Sequence, residues 1–350
     1  MIDWLTMIAP FPHVTPISSG HVLSIGPGGE VEWQTCKRHT VTGSFSTGLQ
    51  VRTATHTADP CTHVEISGNP VKFFQGHNLW GTDDLPSLAV ATLTQIAMAL
   101  HIDIPRAIRN EWEAGNVQLT RVDATESFHL SSRAEVLAWL RSAEQTAHLA
   151  HRGRGQLVKG STLYFGKNSR RWSLKLYAKG QEIQAKGHGQ DGILSLPLAV
   201  AWAERTLRAE LTLRSMELKR RNLGFVRDWL SVEGVLFPVT TDLLRDCLGA
   251  MTMTTTAHLS AEVIESLKPN LRAAVAAWEA GHDLRHMFTR ATFYRYRAQL
   301  LPLGIDIATR MPKDVISNVV PLHRVLEAVP VTVPDWAMGT QLFFEPRRVA

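Results

Sequence analysis

The sequence predicts an α+β protein in which an antiparallel or mixed β-sheet, backed by helices, precedes a smaller all-α domain. The strand-like segments from residue 61 onward supply the first observation, since each alternates an apolar face with a face of acids, bases or histidine. The second observation is a change to helical patterning past about residue 230. We therefore predict two domains, 1–232 and 233–350, with a boundary between residues 228 and 240.

The composition is that of a folded, mildly basic protein. Hydrophobic residues make up 44% of the 350, and the net charge of +5 favours an acidic partner such as nucleic acid. Three scattered cysteines without a CxxC pair argue against a disulfide framework and a thiolate zinc site. Neither a basic leader nor a long apolar run is present, which predicts a soluble protein of a reducing cytoplasm with no membrane partner.

The first part of the chain is predicted to be mostly β-structure. Residues 2–8 form the opening strand, and short alternating segments over 20–57, separated by glycine-rich turns, predict β-hairpins. The segment CTHVEIS at 61–67 predicts another strand. The strand stops at GNP, and the segment QGHNLWGTDDL at 75–85 is unusually rich in polar side chains for a plain loop. An Ala- and Leu-rich stretch then predicts a helix over 85–104.

The rest of the chain follows the same patterns. The first domain continues with a strand VQLTRVDAT after Gly115, a helix over 132–151 with Ser132 as N-cap, strands 161–166 and 172–178 joined by the turn GKNSRR, a helix over 196–203 and a strand over 206–214. The second domain has predicted helices at 239–249, 260–280, 283–288 and 290–302, and then a proline-containing tail predicted to be extended.

One hairpin carries a candidate nucleophile. Tyr177 lies at the end of its second strand, in a Tyr-x-Lys segment followed by Glu182. A phenol in a cationic setting suits attack on a phosphodiester, whereas an ordinary solvated hairpin is the alternative. The cations around it are Lys167, Arg170, Arg171, Lys175 and Lys179.

The polar faces of the predicted strands also supply candidate metal ligands. If these strands are neighbours in one sheet, their side chains converge beside Tyr177. Carboxylates with an imidazole suit Mg²⁺ or Mn²⁺, while the alternative is that the acids pair with nearby arginines. The candidate ligands are Glu65, His77, Asp123 and Glu210.

The second domain contains a segment similar to a helix-turn-helix. A short helix over 283–287 would precede a helix opened by Thr289 or Arg290. A basic helix N-terminus suits contact with a major groove or phosphates, whereas an amphipathic packing helix is the alternative. We predict that Arg290, Thr292, Tyr294, Arg295 and Arg297 face DNA, and that Phe293, Tyr296 and Leu300 are available to pack.

These segments together resemble one family, the gene II/X replication initiators of filamentous phages. The likeness runs in order along nearly the whole chain, and GNPVKFFQGHNLWGTDDL is its most specific piece. The other matching segments are MIDWL, RVDAT, STLYFGKNSRRWSLKLYAKGQE, LRAELTLRSMELK, TFYRYR and NVVPLHRVL with VPDW.

The resemblance implies a nuclease domain of the wider Rep and relaxase kind. Its members use a tyrosine and a divalent metal on an antiparallel sheet, which identifies Tyr177 as the expected nucleophile and Lys179 as a phosphate partner. Tyr164, on the facing strand, is the competitor. The wider His-hydrophobe-His pattern is missing, because this chain has only His63-Val-Glu65 at that place. A carboxylate-rich metal site is therefore expected.

The implied function is a site-specific nicking and joining enzyme that starts and ends rolling-circle DNA replication. Its expected partners are supercoiled double-stranded origin DNA, single-stranded DNA, and a helicase and polymerase of the bacterial host. It would act in the host cytoplasm, and oligomer formation on DNA is a further expectation. Two alternatives remain open at this point. One is a non-enzymatic DNA-binding regulator of phage replication, and the other is a mobilisation relaxase.

Overall fold

The computed structural model describes residues 1–54, 61–185, 190, 192–230, 239–249, 251–253, 266–279, 282–301, 307–308 and 330–347. The end of the predicted hairpin region 20–57, the first residues of the predicted helix 260–280 and most of the predicted tail lie outside these ranges.

The described residues form fourteen β-strands. In chain order they are β1 Ile2–Pro10, β2 His21–Ile25, β3 Val31–Cys36, β4 His39–Thr42, β5 Gly48–Thr53, β6 His63–Gly68, β7 Gln118–His129, β8 Ala147–Leu149, β9 Gly153–Arg154, β10 Gln156–Val158, β11 Thr162–Phe165, β12 Trp172–Ala178, β13 Thr206–Arg214 and β14 Met251–Met253.

They also form ten α-helices and short 3₁₀ turns. The helices are α1 Pro70–Gln75, α2 Leu85–Ala99, α3 Arg106–Glu113, α4 Arg133–Thr146, α5 Lys179–Gln184, α6 Pro197–Glu204, α7 Ser215–Arg220, α8 Val239–Gly249, α9 Pro269–Glu279 and α10 Arg290–Leu300. The 3₁₀ segments are Ile193–Ser195, Val226–Trp229 and Asp335–Ala337.

A single nine-stranded sheet organises the chain. Its order is β10-β11-β12-β13-β7-β1-β6-β5-β4, and every neighbouring pair is antiparallel. A three-stranded sheet, β14-β8-β9, and a two-stranded ribbon, β2-β3, accompany it. The predicted antiparallel sheet followed by a helical part is therefore confirmed.

The strand alternation gives the large sheet one apolar and one polar face. On the apolar face Leu211 lies between Leu174 and Ala124, and such cross-strand rows continue across the sheet. Helices α2, α4 and α8 cover this face, because their apolar side chains share one buried cluster with the strands. The polar face carries the acids, bases and tyrosines, so this division positions the candidate nucleophile and its cations on one surface.

Strand β6 is followed directly by the short helix α1. Asn69 caps α1 by accepting the Lys72 N–H at 2.7 Å, and Pro70 occupies the first turn, where a missing N–H costs nothing. Gly76 ends the helix with φ 81°, a left-handed conformation that favours glycine. The sequence did not predict a helix over 70–75, because six residues are too few to show a periodic pattern.

Two predicted helix boundaries were also wrong. Helix α2 ends at Ala99 instead of 104. Helix α4 has its predicted cap at Ser132 but ends at Thr146, where the chain becomes strand β8. Strand β8 pairs with β14, which the prediction of an all-helical region past residue 230 did not include. Tertiary pairing decides where this segment ends, and local propensity does not.

The buried core of the large sheet includes residues beyond 232. Leu243, Leu244 and Leu248 of α8 and Met251 of β14 are buried in the same cluster as the large sheet. The predicted helix over 239–249 is confirmed with its bounds. This stretch therefore packs as part of the sheet-bearing unit.

The helices α9 and α10 form a second, smaller core. The predicted packing residues Phe293, Tyr296 and Leu300 are all buried in it, together with Trp278. The predicted helix 283–288 is wrong, because these residues form turns. The Asp283 carboxylate accepts the Arg285 N–H at 3.1 Å, a local bond that competes with helix formation.

The last described segment, 330–347, packs against the sheet-bearing unit. The Val331 N–H donates to the Ser127 carbonyl at 2.7 Å, and the Phe344 ring stacks on Phe74 with centroids 4.1 Å apart. Among the helices that the structure describes, none combines the length and apolar character needed to cross a bilayer.

Candidate active site on the polar face of the sheet

Strand register brings the candidate residues of neighbouring strands into rows. One row joins Tyr177 of β12 to Arg208 of β13, and the next joins Lys175 to Glu210. Tyr164 of β11 lies opposite Lys175 and completes this second row. The candidate nucleophile, its competitor, a lysine and an acid are therefore neighbours on one face.

Tyr177 is buried within this face. Its side chain is 2% exposed, and the Lys175 Nζ lies 4.0 Å from the centroid of its ring. Burial, and secondarily the negative charge of Glu210, raise the pKa of Tyr177 well above its usual value of 10. The phenol is therefore protonated at neutral pH in the unliganded chain.

Lys179 begins helix α5 and is fully buried. Its Nζ donates to Asn78 Oδ1 at 2.7 Å and to Glu182 Oε2 at 2.6 Å, and it lies 6.0 Å from the Tyr177 ring centroid. Burial lowers the pKa of Lys179 to about 8, although the charge of Glu182 opposes this change. Lys179 can thus lose a proton near physiological pH.

A network of amides connects Lys179 to the first strand. Asn78 Nδ2 donates to Asp3 Oδ1 at 2.8 Å, and Asn69 Nδ2 donates to the same oxygen at 2.9 Å. Gln190 Nε2 donates to Asn78 Oδ1 at 2.8 Å. Because Asn78 accepts from Lys179 while it donates to Asp3, its amide fixes the ammonium relative to the sheet.

Arg208 attaches the 76–80 segment to the sheet. Its guanidinium is fully buried, donates to Ser127 Oγ at 3.1 Å, and donates to the carbonyl oxygens of Asn78 and Leu79. The positive charge of Arg208 opposes the elevation of the Tyr177 pKa. One side chain thus both holds Asn78 in place and favours the phenolate.

Asp123 and Glu210 form a carboxylate pair near the tyrosine. The Asp123 carboxylate is paired with Arg121 at 2.6 Å and Glu210 with Lys175 at 2.9 Å. Burial raises the pKa of Asp123 above its usual 3.8, and the charge of Glu210 adds to this although Arg121 opposes it. Each carboxylate is matched by one cation, so a divalent cation would take the place of Arg121 and Lys175 at this pair.

The other two predicted ligands are engaged elsewhere. Glu65 accepts from Arg38 and Arg52 at 2.6 and 2.8 Å. It lies opposite Ile8 of β1, whereas Asp123 lies opposite Trp4 of the same strand. Ile8 and Trp4 are four residues apart, which is about 13 Å along the strand. The His77 Nε2 donates to the Leu342 carbonyl at 3.0 Å, and its Nδ1 accepts from the Leu79 N–H at 3.2 Å.

The ring of His77 is fully buried, and this burial lowers its pKa to about 4. It therefore holds the C-terminal segment as a neutral ring. Within the described part of the chain, no three His, Cys, Asp or Glu side chains converge as a metal centre. The structure does not bring the four predicted ligands together.

Most of the cations predicted to bind DNA lie at the surface. Lys167, Arg170 and Arg171 are exposed in the hairpin turn, whereas Lys175 is half-buried against Glu210. On α10, Arg290, Tyr294 and Arg295 are exposed, while Thr292 and Arg297 are half-buried. Thr289 caps this helix by accepting the Thr292 N–H at 3.4 Å.

Comparisons with known proteins identify the family. The N-terminal model of the phage replication-associated proteins of the gene II type matches residues 1–232, and the C-terminal model of the same proteins matches residues 262–342. The replication-associated gene II protein of Enterobacteria phage I2-2 is 38% identical over 353 residues, which cover 100% of this chain and 99% of that protein. The chain belongs to the gene II family.

Distant likenesses occur among solved structures. A rolling-circle replication initiator protein from Geobacillus stearothermophilus is 14% identical, and the match covers 75% of this gene II family chain and 89% of that protein, with a TM-score of 0.32. That score is too low to carry an argument. The resemblance to gene II replication initiators rests instead on the family match.

The structure of this gene II family chain includes polar residues that sequence patterns did not single out. Asp3, Asn69, Asn78 and Arg208 form the buried network around Lys179, and all lie in segments that carry the family resemblance. In the polar block after β6, the pattern pointed to His77 and not to its neighbour Asn78. The available signal was that Asn69 and Asn78 each lie close to a glycine.

Proposed function

We propose that this chain is a rolling-circle replication initiator that nicks one strand of an origin through Tyr177. The observation that carries the proposal is the position of Tyr177, in a row with Arg208 and beside Lys175, Lys179 and the Asp123–Glu210 pair. Family membership supports the role in replication, and the cationic surroundings of a phenol support the chemistry.

The reaction is an exchange of one phosphodiester for another. The Tyr177 oxygen bonds to the scissile phosphorus as the bond from phosphorus to the 3′ oxygen breaks. The products are a 5′-phosphotyrosyl enzyme and a free 3′-hydroxyl, which takes up a proton. Because the phosphodiester energy is conserved, the reverse attack by a 3′-hydroxyl rejoins DNA without ATP.

A divalent cation, Mg²⁺ or Mn²⁺, fits the pair formed by Asp123 and Glu210. Two carboxylates with further ligands from a bound phosphate are a common way for proteins to hold Mg²⁺. When bound, such a cation supplies stabilisation of the charge that develops on the non-bridging phosphate oxygens. We propose no part in metal binding for Glu65 or His77, because Glu65 lies about 13 Å along the sheet from the strand position of Asp123 and His77 is held by backbone groups of Leu79 and Leu342.

Metal binding is testable by its effect on stability. At a concentration about 100-fold above its Kd, Mn²⁺ should raise the free energy of unfolding by about 2.7 kcal/mol. Asp123→Asn should remove this increment, because a neutral amide replaces a buried carboxylate. Thermal unfolding with and without Mn²⁺ measures it. The control Glu113→Gln, at an exposed position of α3, should keep the full increment, and an unchanged increment in Asp123→Asn would exclude this ligand.

Lys179 is proposed to accept the proton of Tyr177, directly or through one water. Because its pKa is about 8, the neutral amine becomes populated as the pH rises through that value. The nicking rate should therefore rise with pH and level off above about 8.

Lys179→Arg tests this role, because arginine keeps the charge but does not release a proton in this range. We expect a nicking rate about 100-fold lower and a loss of the inflection near pH 8. Rates on supercoiled origin DNA between about pH 6 and 10 would measure both effects. Lys219→Arg, on the exposed side of α7, should retain the wild-type profile, and a Lys179→Arg profile with the same inflection would refute the assignment.

The proposed partners follow from the reaction. The substrate is supercoiled double-stranded origin DNA, whose exposed strand becomes single-stranded at the nick. We propose that α10 and the hairpin turn contact DNA phosphates, and that helicase and polymerase of the bacterial host act on the nicked product in the host cytoplasm. Oligomer formation on the origin is a further proposal, open to measurement by the mass of the complex.

Covalent trapping tests the function as a whole. The chain is incubated with supercoiled origin DNA and Mg²⁺, and the products are examined for an open circle and for DNA retained on protein after denaturation. A non-enzymatic regulator would bind the origin without a nick. A mobilisation relaxase would require a transfer origin and accessory proteins.

A further inference from the structure

A second cationic site lies at the opposite end of β12 from Tyr177. It is a cavity of about 460 Å³ between the apolar side of the sheet, α7, α8 and the segment before β9. We call it the arginine pocket, and its walls include Arg152, Arg171, Trp172, Arg220, Arg221 and Cys247. Only Arg171 of these was among the residues predicted to bind DNA.

Glu217 holds three of the four guanidinium groups of the arginine pocket in place. Its fully buried carboxylate accepts from Arg171 Nη2 at 3.1 Å and from Arg221 Nε at 3.0 Å, and it also accepts from Arg220. Burial opposes its ionisation, but the adjacent arginines outweigh this and lower the pKa of Glu217 to about 2. One acid thus orients three cations, each of which has further N–H groups to offer.

Arg152 is the fourth arginine of the pocket, and its Nη1 donates to the His151 carbonyl at 3.3 Å. Its guanidinium carbon lies 4.2 Å from the centroid of the Trp172 ring, so the tryptophan supports it on one side. Its Nε is buried and has no hydrogen-bond partner among the described residues. The hairpin turn also confines it, because a Cβ at Gly166, where φ is 66°, would collide with the Arg152 Cδ.

The charges that the described residues place around the pocket do not balance. Its four arginines are accompanied there by two carboxylates, those of Glu217 and Asp246. Burial lowers the pKa of Arg152, and the like charge of Arg171 lowers it further. Four guanidinium groups beside two carboxylates leave excess positive charge around the pocket, and a bound anion with several oxygens would offset this charge and accept from the outward N–H groups.

We infer that the arginine pocket binds a phosphate group, and that the phosphate belongs to a DNA strand held along the β11–β12 hairpin. The choice of DNA as the source rests on the proposed function, whereas the phosphate chemistry rests on the pocket alone. Trp172 and Tyr177 are five residues apart on β12, about 17 Å along the strand, and face opposite sides of the sheet, so a bound strand would pass around the end of the hairpin. This phosphate is therefore distinct from the one that Tyr177 attacks.

Binding measurements without cleavage test the inference. Fluorescence anisotropy of a labelled single strand of about 16 nucleotides is recorded with the full chain, in EDTA, at several salt concentrations. For Arg152→Gln we expect an affinity about 10-fold lower and a log–log salt slope smaller by about 0.7, the value for one lost phosphate contact on a single strand. Arg152→Lys should restore most of the slope.

Arg152 is not among the arginines that Glu217 holds, so its replacement should leave the chain folded, which circular dichroism would verify. The matched control is Arg245→Gln, on the exposed side of the neighbouring helix α8, and it should bind as the wild type does. In a second arm, calorimetry with dAMP asks whether a free nucleotide uses the same pocket.

Each outcome separates one possibility. Loss of oligonucleotide affinity in Arg152→Gln supports binding of a DNA phosphate. If only dAMP binding depends on Arg152, the pocket binds phosphate, but the phosphate belongs to a free nucleotide and not to a DNA strand. Wild-type affinity and slope in Arg152→Gln, with no Arg152-dependent dAMP binding, would overturn the inference. Because no nicking is needed, failure of the nicking assay leaves this result unaffected, and the reverse also holds.

Discussion

Tyr177→Phe is expected to abolish nicking of supercoiled origin DNA and formation of a covalent DNA–protein complex. The change removes only the oxygen that would bond to phosphorus, so the rate should fall by about 1,000-fold or more. The ring is buried beside Lys175, and phenylalanine retains its packing, so the fold should be preserved. Gel analysis of open circles and of labelled protein after denaturation measures both activities.

Tyr164→Phe is the matched control for this experiment. Tyr164 lies on β11 opposite Lys175, is half-buried, and has Lys167 5.0 Å from its ring centroid, so its surroundings are also cationic. We expect it to keep nicking activity within a few-fold of the wild type. If Tyr164→Phe loses the covalent complex and Tyr177→Phe retains it, the nucleophile is Tyr164 and the proposed assignment is reversed.

Arg208→Met is expected to lower the free energy of unfolding by about 3 kcal/mol. The replacement leaves the buried carbonyl oxygens of Asn78 and Leu79 and the Ser127 hydroxyl without their donor, and each unsatisfied group costs about 1–3 kcal/mol. Loss of the buried charge offsets part of this cost. Urea unfolding followed by circular dichroism, with comparison of midpoints at constant slope, gives the difference.

Arg205→Met controls for the loss of an arginine from the same segment. Arg205 is exposed immediately before β13, so its replacement should change the stability by less than about 0.5 kcal/mol. Equal stability of the Arg208 and Arg205 variants would mean that the 76–80 segment does not depend on the guanidinium. Because Asn78 holds Lys179, Arg208→Met should also reduce nicking at temperatures where the protein remains folded.

The sequence predicted the architecture well where side-chain alternation is strong. The bounds of β12 and β13 agree with the predicted strands 172–178 and 206–214, because period-2 patterns over seven to nine residues leave one register that buries the apolar face. The same patterns placed Tyr177, Lys175 and Glu210 on a shared polar face. Strand order was needed to make them neighbours, and no local signal in the chain specifies that order.

The site was less predictable where pairing across the fold decides a side chain's role. Glu65 and His77 have ordinary ligand chemistry in the sequence, but two arginines and the Leu342 carbonyl occupy their polar atoms. Leu342 lies 265 residues from His77, a contact that no window of sequence contains. Asn78 escaped notice for the same reason, since its partners Asp3, Lys179 and Gln190 come from separate parts of the chain.

The return of residues 330–347 to the sheet gives the small helical core an unusual connectivity. Met253 and Val331 both belong to the sheet-bearing unit, and α9 and α10, which lie between them in the sequence, form the separate small core. This core is therefore an insertion with two covalent attachments. A module tethered at both ends explores a smaller volume than one on a single linker, which raises its effective concentration at DNA already held by the sheet. Replacing this insertion by a short linker should therefore preserve the first core while removing its contribution to origin affinity.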